Sequence, residues 1–266
     1  MNQDLIETRD GGVATLTMNR PDARNALTPE MMSALHEALP RLAADADVRV
    51  VVLTGTGRAF CAGGDVKRFA RAAAGAKVPA GFEQRVHDLR VRMEVSRVLY
   101  EMPKPTLAVI PGPAAGAGLS LALACDLRIA AGDAKLTTAF SKVGLSGDFG
   151  GSYFLPQLVG AARARELYFT ARVVTGDEAM AMGLVNRAVP FEQLAQAAHE
   201  LAVELSALPT VAVGYMKKNL NAGIQGTLAD ALDAEAIHMI RTFETEDHKG
   251  AALAFVEKRA PRFAGR

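Results

Sequence analysis

Apolar residues in this chain fall into two patterns: short continuous runs, and longer stripes with a helical period. The runs at residues 48–54, 106–110 and 126–131 are short and mostly apolar, which is typical of strands buried on both faces of a sheet. Stripes with apolar residues three or four positions apart predict helices over residues 29–44 and 83–102. The first part of the chain is therefore expected to alternate strands with helices.

The two ends of the chain differ in pattern. Near the beginning, Asp10-Gly11-Gly12 joins two strand-like segments, residues 3–9 and 13–18, and predicts a hairpin. From about residue 151 the predicted helices run through 151–169, 175–182, 191–207, 210–221, 227–243 and 246–258, with one short strand at 185–189. The pattern predicts the α/β fold class, with a core over residues 1–200 and a helical region over residues 201–266.

Two glycine-containing turns carry the clearest chemical signal. Residues 59–65 follow the predicted strand at 48–54, and residues 112–118 follow the one at 106–110. Each turn is expected to open a helix, and the start of a helix leaves backbone N–H groups unpaired. Two such starts at one point would supply preorganised donors for an oxygen that gains negative charge during a reaction.

Composition and charge narrow the range of functions. With 50% apolar and 22% charged residues, the 266-residue chain has a globular composition, and its net charge of +1 gives no strong field for nucleic acid or a membrane surface. Residues 105–125 are uncharged, but Pro111 and Pro113 favour a buried strand, turn and helix over a membrane span. Cys61 and Cys125 have no CxxC partners, so we expect reduced thiols and a cytoplasmic protein.

A series of motifs, in order along nearly the whole chain, resembles the enoyl-CoA hydratase/isomerase family, also called the crotonase family. The motifs lie at residues 19–21 with 25–27, 57–65, 116–119, 125–126, 150–151 and 254–259. The resemblance implies a spiral of repeated ββα turns, with C-terminal helices that assemble trimers or dimers of trimers. It also implies an acyl thioester of coenzyme A as substrate, with no metal or redox cofactor.

The resemblance assigns the site residues by position. Gly64 and Ala117 would donate backbone N–H groups to the thioester oxygen as it becomes an enolate, and one such donor can contribute ~3 kcal/mol. A loop over residues 70–82 and the helix over 83–102 would shape the acyl pocket. The coenzyme A contacts would come from Arg24, Ala62, Gly63, Asp65 and Val66, and from Phe255 and Lys258 of a neighbouring subunit.

One departure from the family pattern bears on the reaction. The two glutamates of the hydratases would fall on Ser120 and Phe140, and neither residue can act as a carboxylate. Asp148, in an Asp-x-Gly-Gly segment, resembles instead the ring-epoxide isomerase branch of phenylacetyl-CoA degradation, as do residues 262–266. A single carboxylate suits a proton shuttle, so the resemblance implies an isomerase. Asp148 could also cap the helix that begins near residue 151.

Other functions remain open at this point. Within the family, the alternative is an enoyl-CoA hydratase with an atypical site, and an alternative from another functional class is a non-catalytic acyl-CoA-binding protein. Outside it, Gly112, Gly116 and Gly118 resemble the turn of an NAD(P)-dependent reductase, although no Tyr-x-x-x-Lys follows them. Cys61 lies in the first turn, where packing is favoured over a nucleophilic role because no His is close in sequence.

Overall fold

The computed structural model describes residues 4–64 and 81–266. The strands of this part of the chain are β1 (Leu5–Asp10), β2 (Val13–Met18), β3 (Val50–Gly55), β4 (Thr106–Ile110), β5 (Ala114–Ala115), β6 (Leu127–Ala131), β7 (Lys135–Thr137), β8 (Val174–Thr175) and β9 (Arg187–Val189). They form a six-stranded sheet in the order β1-β2-β3-β4-β6-β9 and a three-stranded sheet in the order β5-β7-β8. In the larger sheet only the β1–β2 hairpin is antiparallel.

Helices cover the sheets and make up most of the second half of the chain. They are α1 (Pro29–Ala44), α2 (Phe82–Arg92), α3 (Glu94–Glu101), α4 (Ala117–Leu123), α5 (Gly151–Val159), α6 (Ala161–Thr170), α7 (Gly176–Ala181), α8 (Phe191–Ser206), α9 (Thr210–Gln225), α10 (Leu228–Phe243) and α11 (Glu246–Val256). Short 3₁₀ turns lie at Pro21–Ala23 and Phe140–Val143. Among the described residues, no helix is both long enough and apolar enough to cross a bilayer.

The two sheets are built by a repeated unit. In the first unit the chain passes along β4 in the large sheet and β5 in the small sheet and then enters α4. In the next unit it passes along β6 in the large sheet and β7 in the small sheet before the 3₁₀ turn at Phe140–Val143. Successive units pair in parallel in both sheets. This is a ββα spiral of the predicted fold class, and it brings equivalent points of consecutive units to the same edge.

The core packs the large sheet against helices on its faces. The sequence before helix α1 determines where this helix begins. The Thr28 hydroxyl accepts a hydrogen bond from the Met31 N–H and so caps the helix. Pro29 occupies the first helical position, where the N–H that proline lacks would have no partner within the helix. The fully buried face of α1 has the spacing of a helical stripe, with Met31, Leu35, Leu39 and Leu42. The sequence prediction for this helix, residues 29–44, is confirmed.

Several predicted boundaries differ from the structure. The predicted helix over 83–102 is two helices, α2 and α3, and the one over 151–169 is broken at Gly160, whose φ is +78°. Strands β5, β7 and β8 have two or three residues each, too few for a readable alternation, and the sequence analysis missed them. The predicted division at residue 200 falls inside α8, and the two-part description stays a prediction.

Candidate active site

The two glycine-containing turns are joined by backbone pairing. Cys61 pairs with Ala114 in a parallel bridge, and the Ala115 N–H donates to the Cys61 carbonyl over 3.0 Å. The bridge continues the small sheet into the first turn, so the two chain segments run side by side in the same direction. Gly64 and Ala117, each three residues past the bridge, therefore take equivalent positions in neighbouring units of the spiral.

Glycine is required where these turns touch. A Cβ on Gly118 would stand 2.3 Å from the Cys61 carbonyl oxygen, and one on Gly63 would stand 2.5 Å from the Ala115 carbonyl oxygen. Contacts with backbone at these distances cannot be relieved by moving a side chain. Gly63 also has a φ of +82°, in the region that favours glycine. The same Cβ would lie 3.3 Å from the Ala117 nitrogen, which places the two donor segments against each other.

The N–H groups of Gly64 and Ala117 are available as donors. Ala117 is the first residue of α4, so its N–H has no acceptor within the helix. Neither N–H donates to any residue in the described ranges 4–64 and 81–266. Ala117 is nevertheless buried, and a buried N–H without an acceptor is uncommon in a folded protein. The arrangement suits a ligand oxygen.

Both donors open into one cavity of about 550 Å³, and Asp148 lines the same cavity. The other lining residues come from the start of α1, from one face of α2 and from the segment before α5. They are Leu27, Thr28, Pro29, Met32, Arg85, Leu89, Arg92, Phe140, Leu145, Ser146, Gly147 and Phe149. The structure thus brings together the three residues that the sequence predicts to be catalytic. The contribution of α2 agrees with the predicted pocket wall.

Asp148 lies in a strained connection just before α5. Gly147, Phe149 and Gly150 all have positive φ, of +117°, +51° and +79°. Gly150, not Asp148, is the N-cap of α5, and no side chain caps that helix end. Asp148 Oδ1 is buried and has no hydrogen-bond partner among the described residues. The geometry therefore gives no support to a capping role for this carboxyl group.

Burial changes the acidity of Asp148. Desolvation raises the pKa of its carboxyl group from 3.8 to about 6, because a low-dielectric surrounding disfavours the charged form. A carboxyl with a pKa near neutrality exchanges protons more readily in both directions than an ordinary aspartate. The cavity therefore holds an acid–base group whose pKa is close to physiological pH.

Residues at the two positions of the family glutamates lie near Gly147 and Gly151, which flank the segment that carries Asp148. Phe140 lines the cavity and stacks on Tyr168, with ring centroids 6.0 Å apart. Ser120 is buried and donates its hydroxyl hydrogen to the Gly116 carbonyl over 3.3 Å. A Cβ on Gly151 would stand 2.4 Å from Ser120 Oγ and 2.5 Å from the Tyr168 hydroxyl oxygen. The first turn of α5 therefore fits only around a residue without a side chain.

Tyr168 is a neighbour of the site that the sequence analysis missed. Its hydroxyl is buried without a partner among the described residues. Burial and the charge of Asp148 raise the pKa of Tyr168 to about 12, so the hydroxyl stays protonated. Tyr168 lies on α6, and nothing in the helical pattern separates it from an ordinary packing residue. The arginines on α2 were missed for the same reason, since only the fold shows which face of that helix meets the cavity.

The residues predicted to contact coenzyme A lie in three places. Arg24, with a φ of +48°, accepts the Ala62 N–H at its carbonyl over 2.9 Å, and Gly63 adjoins this pair. Phe255 in α11 is 86% exposed, and Lys258 just after it is exposed too, in keeping with contacts outside this chain. Asp65, Val66 and residues 70–80 of the predicted loop lie outside the described residues.

Cys61 is a packing residue in this structure. It is fully buried, and burial raises the pKa of its thiol to about 12, so the nucleophilic thiolate is disfavoured. Its backbone, as described above, pairs the two turns. The five histidines are spread over helices, and none lines the cavity that holds Asp148.

Comparisons with known proteins agree with this architecture. The enoyl-CoA hydratase/isomerase family matches residues 8–266. The chain is 36% identical to 1,2-epoxyphenylacetyl-CoA isomerase of Escherichia coli, covering all of both chains, and 35% identical to short-chain-enoyl-CoA hydratase of Clostridium acetobutylicum, covering 97% of this chain and 96% of the relative. The solved structure of an enoyl-CoA hydratase from Bacillus anthracis superposes with a TM-score of 0.91 at 33% identity, over 99% of this chain and 100% of that one.

The chain belongs to the enoyl-CoA hydratase/isomerase family. The predicted family and its fold are confirmed, and the glycines at residues 112–118 are assigned to a turn of this fold rather than to a dinucleotide-binding motif. The similar proteins include both isomerases and hydratases by name, so the family alone does not choose between the two reactions.

Proposed function

We propose that this chain is an acyl-CoA isomerase that stabilises a thioester enolate and moves a proton with Asp148. One observation carries the proposal. A single cavity is lined by two residues whose backbone N–H groups have no described acceptor and by a partly buried aspartate whose buried Oδ1 has no described partner. The N–H groups of Gly64 and Ala117 would form the oxyanion hole, and the carboxylate would act as the base.

The proposed reaction balances within the substrate. The Asp148 carboxylate removes an α- or γ-proton from an enoyl thioester, and the electron pair moves onto the thioester oxygen. The two N–H groups stabilise that oxygen as negative charge develops. The same carboxyl group then returns the proton to another carbon of the conjugated enolate. No electrons leave the substrate and no water is added, so the proposed step requires no metal or redox cofactor, as the sequence analysis expects.

Isomerisation is favoured over hydration because of what surrounds the carboxylate. Hydration requires groups that position and deprotonate a water molecule, and the positions assigned to the two hydratase glutamates hold Ser120 and Phe140. The ring of Phe140, which stacks on Tyr168 behind it, gives that side of the cavity an apolar wall instead. The E. coli relative named as a ring-epoxide isomerase supports a ring-type acyl group as one candidate substrate.

The proposal is tested with Asp148→Asn and a 3-enoyl-CoA substrate. Hydration and isomerisation are followed separately, because both reactions consume related thioesters. We expect the wild type to isomerise and the variant to lose that activity, since asparagine cannot accept the proton. Acyl-CoA affinity should stay nearly unchanged, because the donors and the cavity walls remain.

Two controls show whether the Asp148→Asn variant loses activity because the base is missing or because the protein no longer folds. Asp148→Asn is expected to melt no lower than the wild type at pH 7, because the buried carboxyl is harder to keep ionised than an amide is to keep neutral. Turnover by the variant at a rate comparable to the wild type would remove Asp148 from the mechanism. A wild type that binds acyl-CoA but converts none of the enoyl or aryl thioesters would favour the non-catalytic alternative.

The same proposal includes assembly through the C-terminal helices, as a homotrimer or a dimer of trimers in the cytoplasm. No residue of α10 is buried, although the helix is rich in apolar side chains. The exposed apolar residues of α9, α10 and α11 are Met216, Leu220, Ile224, Leu228, Leu232, Ile237, Met239, Ile240, Phe243, Leu253, Phe255 and Val256. An apolar surface of this extent is typical of an interface between subunits.

Light scattering coupled to gel filtration tests the assembly. We expect the wild type to elute as a multiple of 28.1 kDa and Leu232→Glu to shift toward that mass, because a charge would be buried at the interface. Glu235→Gln on the same helix is the matched control and should keep the assembled mass. A wild type that elutes at 28.1 kDa would contradict the proposal.

A further inference from the structure

The side chain of Tyr168 lies against both ends of the connection that carries Asp148. A Cβ on Gly147 would stand 3.2 Å from Tyr168 Cε1 and 3.5 Å from its hydroxyl oxygen, and a Cβ on Gly151 would stand 2.5 Å from the same oxygen. The ring also stacks on Phe140, with the two ring planes 17° apart. One hydroxyl group is therefore close to the residues on either side of the proposed base.

Asp148 and Tyr168 each bury a polar oxygen without a partner. In the described part of the chain four buried side-chain atoms lack a hydrogen bond, and Asp148 Oδ1 and the Tyr168 hydroxyl oxygen are two of them. Burial and then the charge of Asp148 raise the pKa of Tyr168, so the two groups interact and the hydroxyl keeps its proton. They are complementary, because a phenol donates one hydrogen and an ionised carboxylate only accepts.

Ser120 is another polar side chain beside this hydroxyl. A Cβ on Gly151 would stand 2.4 Å from Ser120 Oγ. Ser120 donates its own hydrogen to the Gly116 carbonyl over 3.3 Å, so it can offer Tyr168 only a lone pair. A carboxylate is the better acceptor, because hydrogen bonds to a charged group are stronger than neutral ones. Asp148 is therefore the favoured partner.

The charged groups around the carboxyl group leave it to a neutral donor. Arg85 and Arg92 of α2 are the other titratable residues in the described lining of the cavity. Burial is the one cause of the raised pKa of Asp148, so neither guanidinium group acts on it. On α6, Glu166 is exposed and pairs with Arg172. The phenol on α6 thus has no charged competitor among the lining residues.

We infer that Tyr168 donates a hydrogen bond to the Asp148 carboxylate when an acyl-CoA fills the cavity, and that it thereby orients the base. An acyl group in the cavity excludes water, so the ionised carboxylate must then find its donors in the protein. Hydrogen bonds of catalytic groups often tighten only in the complex with substrate, which agrees with two oxygens that are close to each other's surroundings but not bonded here. This inference rests on the proposed function and adds a positioning residue to it.

Titration of Asp148 with an unreactive ligand bound tests the hydrogen bond directly. Hexanoyl-CoA is saturated, so it has no double bond to move. The protein is prepared with aspartate that carries ¹³C at the side-chain carboxyl group. The C=O stretching band of protonated Asp148 is followed by infrared difference spectroscopy from pH 4.5 to 8, and it is identified by its loss in Asp148→Asn.

Tyr168→Phe keeps the ring and removes the donor. With hexanoyl-CoA bound, the pH midpoint of Asp148 should lie about one unit higher in this variant than in the wild type, because the ionised form loses a hydrogen bond. Tyr153→Phe is the matched control and should leave the midpoint unchanged, since Tyr153 does not line the cavity and its hydroxyl lies 3.5 Å from that of Tyr100. An unchanged midpoint in Tyr168→Phe would overturn the inference.

Fluorination tests the same bond without a substitution. Replacing all four tyrosines by 3-fluorotyrosine makes each phenol a stronger donor, and Tyr168 is the one that lies against the Asp148 connection. The midpoint of Asp148 with hexanoyl-CoA bound should then fall below that of the unmodified protein. A midpoint that stays in place or rises would contradict a bond from this phenol.

Steady-state kinetics show whether the hydrogen bond positions the base. Tyr168→Phe should lower kcat about tenfold and leave KM nearly unchanged, since the base loses its orientation while the main-chain donors and the cavity walls remain. A raised KM with the kcat of the wild type would overturn the positioning role.

The titration needs no turnover, so it separates this inference from the proposed function. A shifted midpoint in Tyr168→Phe together with a fully active Asp148→Asn would sink only the proposed function. An inactive Asp148→Asn together with an unshifted midpoint in Tyr168→Phe would sink only the inference.

Discussion

The two halves of the candidate site are built in different ways. The half that we propose to hold the thioester oxygen is main chain, fixed by the Cys61–Ala114 pairing and by glycines that allow backbone atoms to touch. The half that holds Asp148 is a side chain on a connection in which Gly147, before it, and Phe149 and Gly150, after it, have positive φ. Ala117 in the first half is buried, whereas Gly64 in that half and Asp148 in the second are partly buried.

This difference indicates which of the two halves a single amino-acid substitution can change. Main-chain donors are insensitive to most substitutions, because every residue except proline supplies an N–H. A side-chain base is changed by a single substitution, and Ser120 and Phe140 show two positions where a carboxylate is expected by resemblance and absent. In the proposed function, enolate stabilisation would therefore depend on the fold, whereas the transfer of the proton would depend on a few side chains around Asp148.

The largest loss of kcat should come from removing one of the two main-chain N–H donors. Ala117→Pro deletes one N–H donor, and proline is tolerated at the first position of a helix. We expect kcat to fall by ~10²–10³, with a small change in melting temperature. Steady-state kinetics on the isomerised thioester measure it.

Ala117→Gly serves as the control for that variant, because it keeps the N–H and adds no atoms. It should retain kcat within a few fold of the wild type. An unchanged kcat in Ala117→Pro would show that this donor does not contact the oxygen in the transition state. A similar loss in both variants would point to helix placement rather than to the donor.

A smaller and gradual change in kcat/KM should come from protonating the Asp148 carboxyl group. The base must be ionised to accept a proton, and its pKa is about 6, so kcat/KM should fall about tenfold per pH unit below that value and level off above it. The profile is measured from pH 4.5 to 8 with a buffer series of constant ionic strength. A profile that stays nearly flat down to pH 4.5, as the ordinary value of 3.8 would give, would mean that Asp148 is solvated in the free enzyme.

Much of the main-chain half could be predicted from sequence. Thr28-Pro29 marks the start of α1, the hairpin glycines mark the β1–β2 turn, and the two glycine turns mark the donors. These signals are local, because caps, tight turns and close approaches each require particular residue types. The order of the motifs supplied the rest of the family assignment, which the comparisons confirm.

The side-chain half was harder to predict because its contacts join distant segments. Tyr168 reaches the Gly147–Gly151 connection only after α5 and α6 fold back on each other, and its sequence neighbours give no sign of that. Arg85 and Arg92 look like ordinary exposed residues on a polar helix until the cavity is seen. Arg92 and Asp148 line the same cavity but are more than fifty residues apart in the sequence, so no periodic pattern in the chain relates them.

The buried sulfurs have a practical consequence. Cys61 and Cys125 are both inaccessible, and desolvation raises the pKa of each thiol to about 12. Alkylating reagents attack thiolates, so labelling must wait until the polypeptide locally opens. The backbone of Cys61 pairs the two donor segments. The rate at which Cys61 is alkylated, followed by mass spectrometry, would therefore report how often this part of the candidate site opens, without an introduced probe.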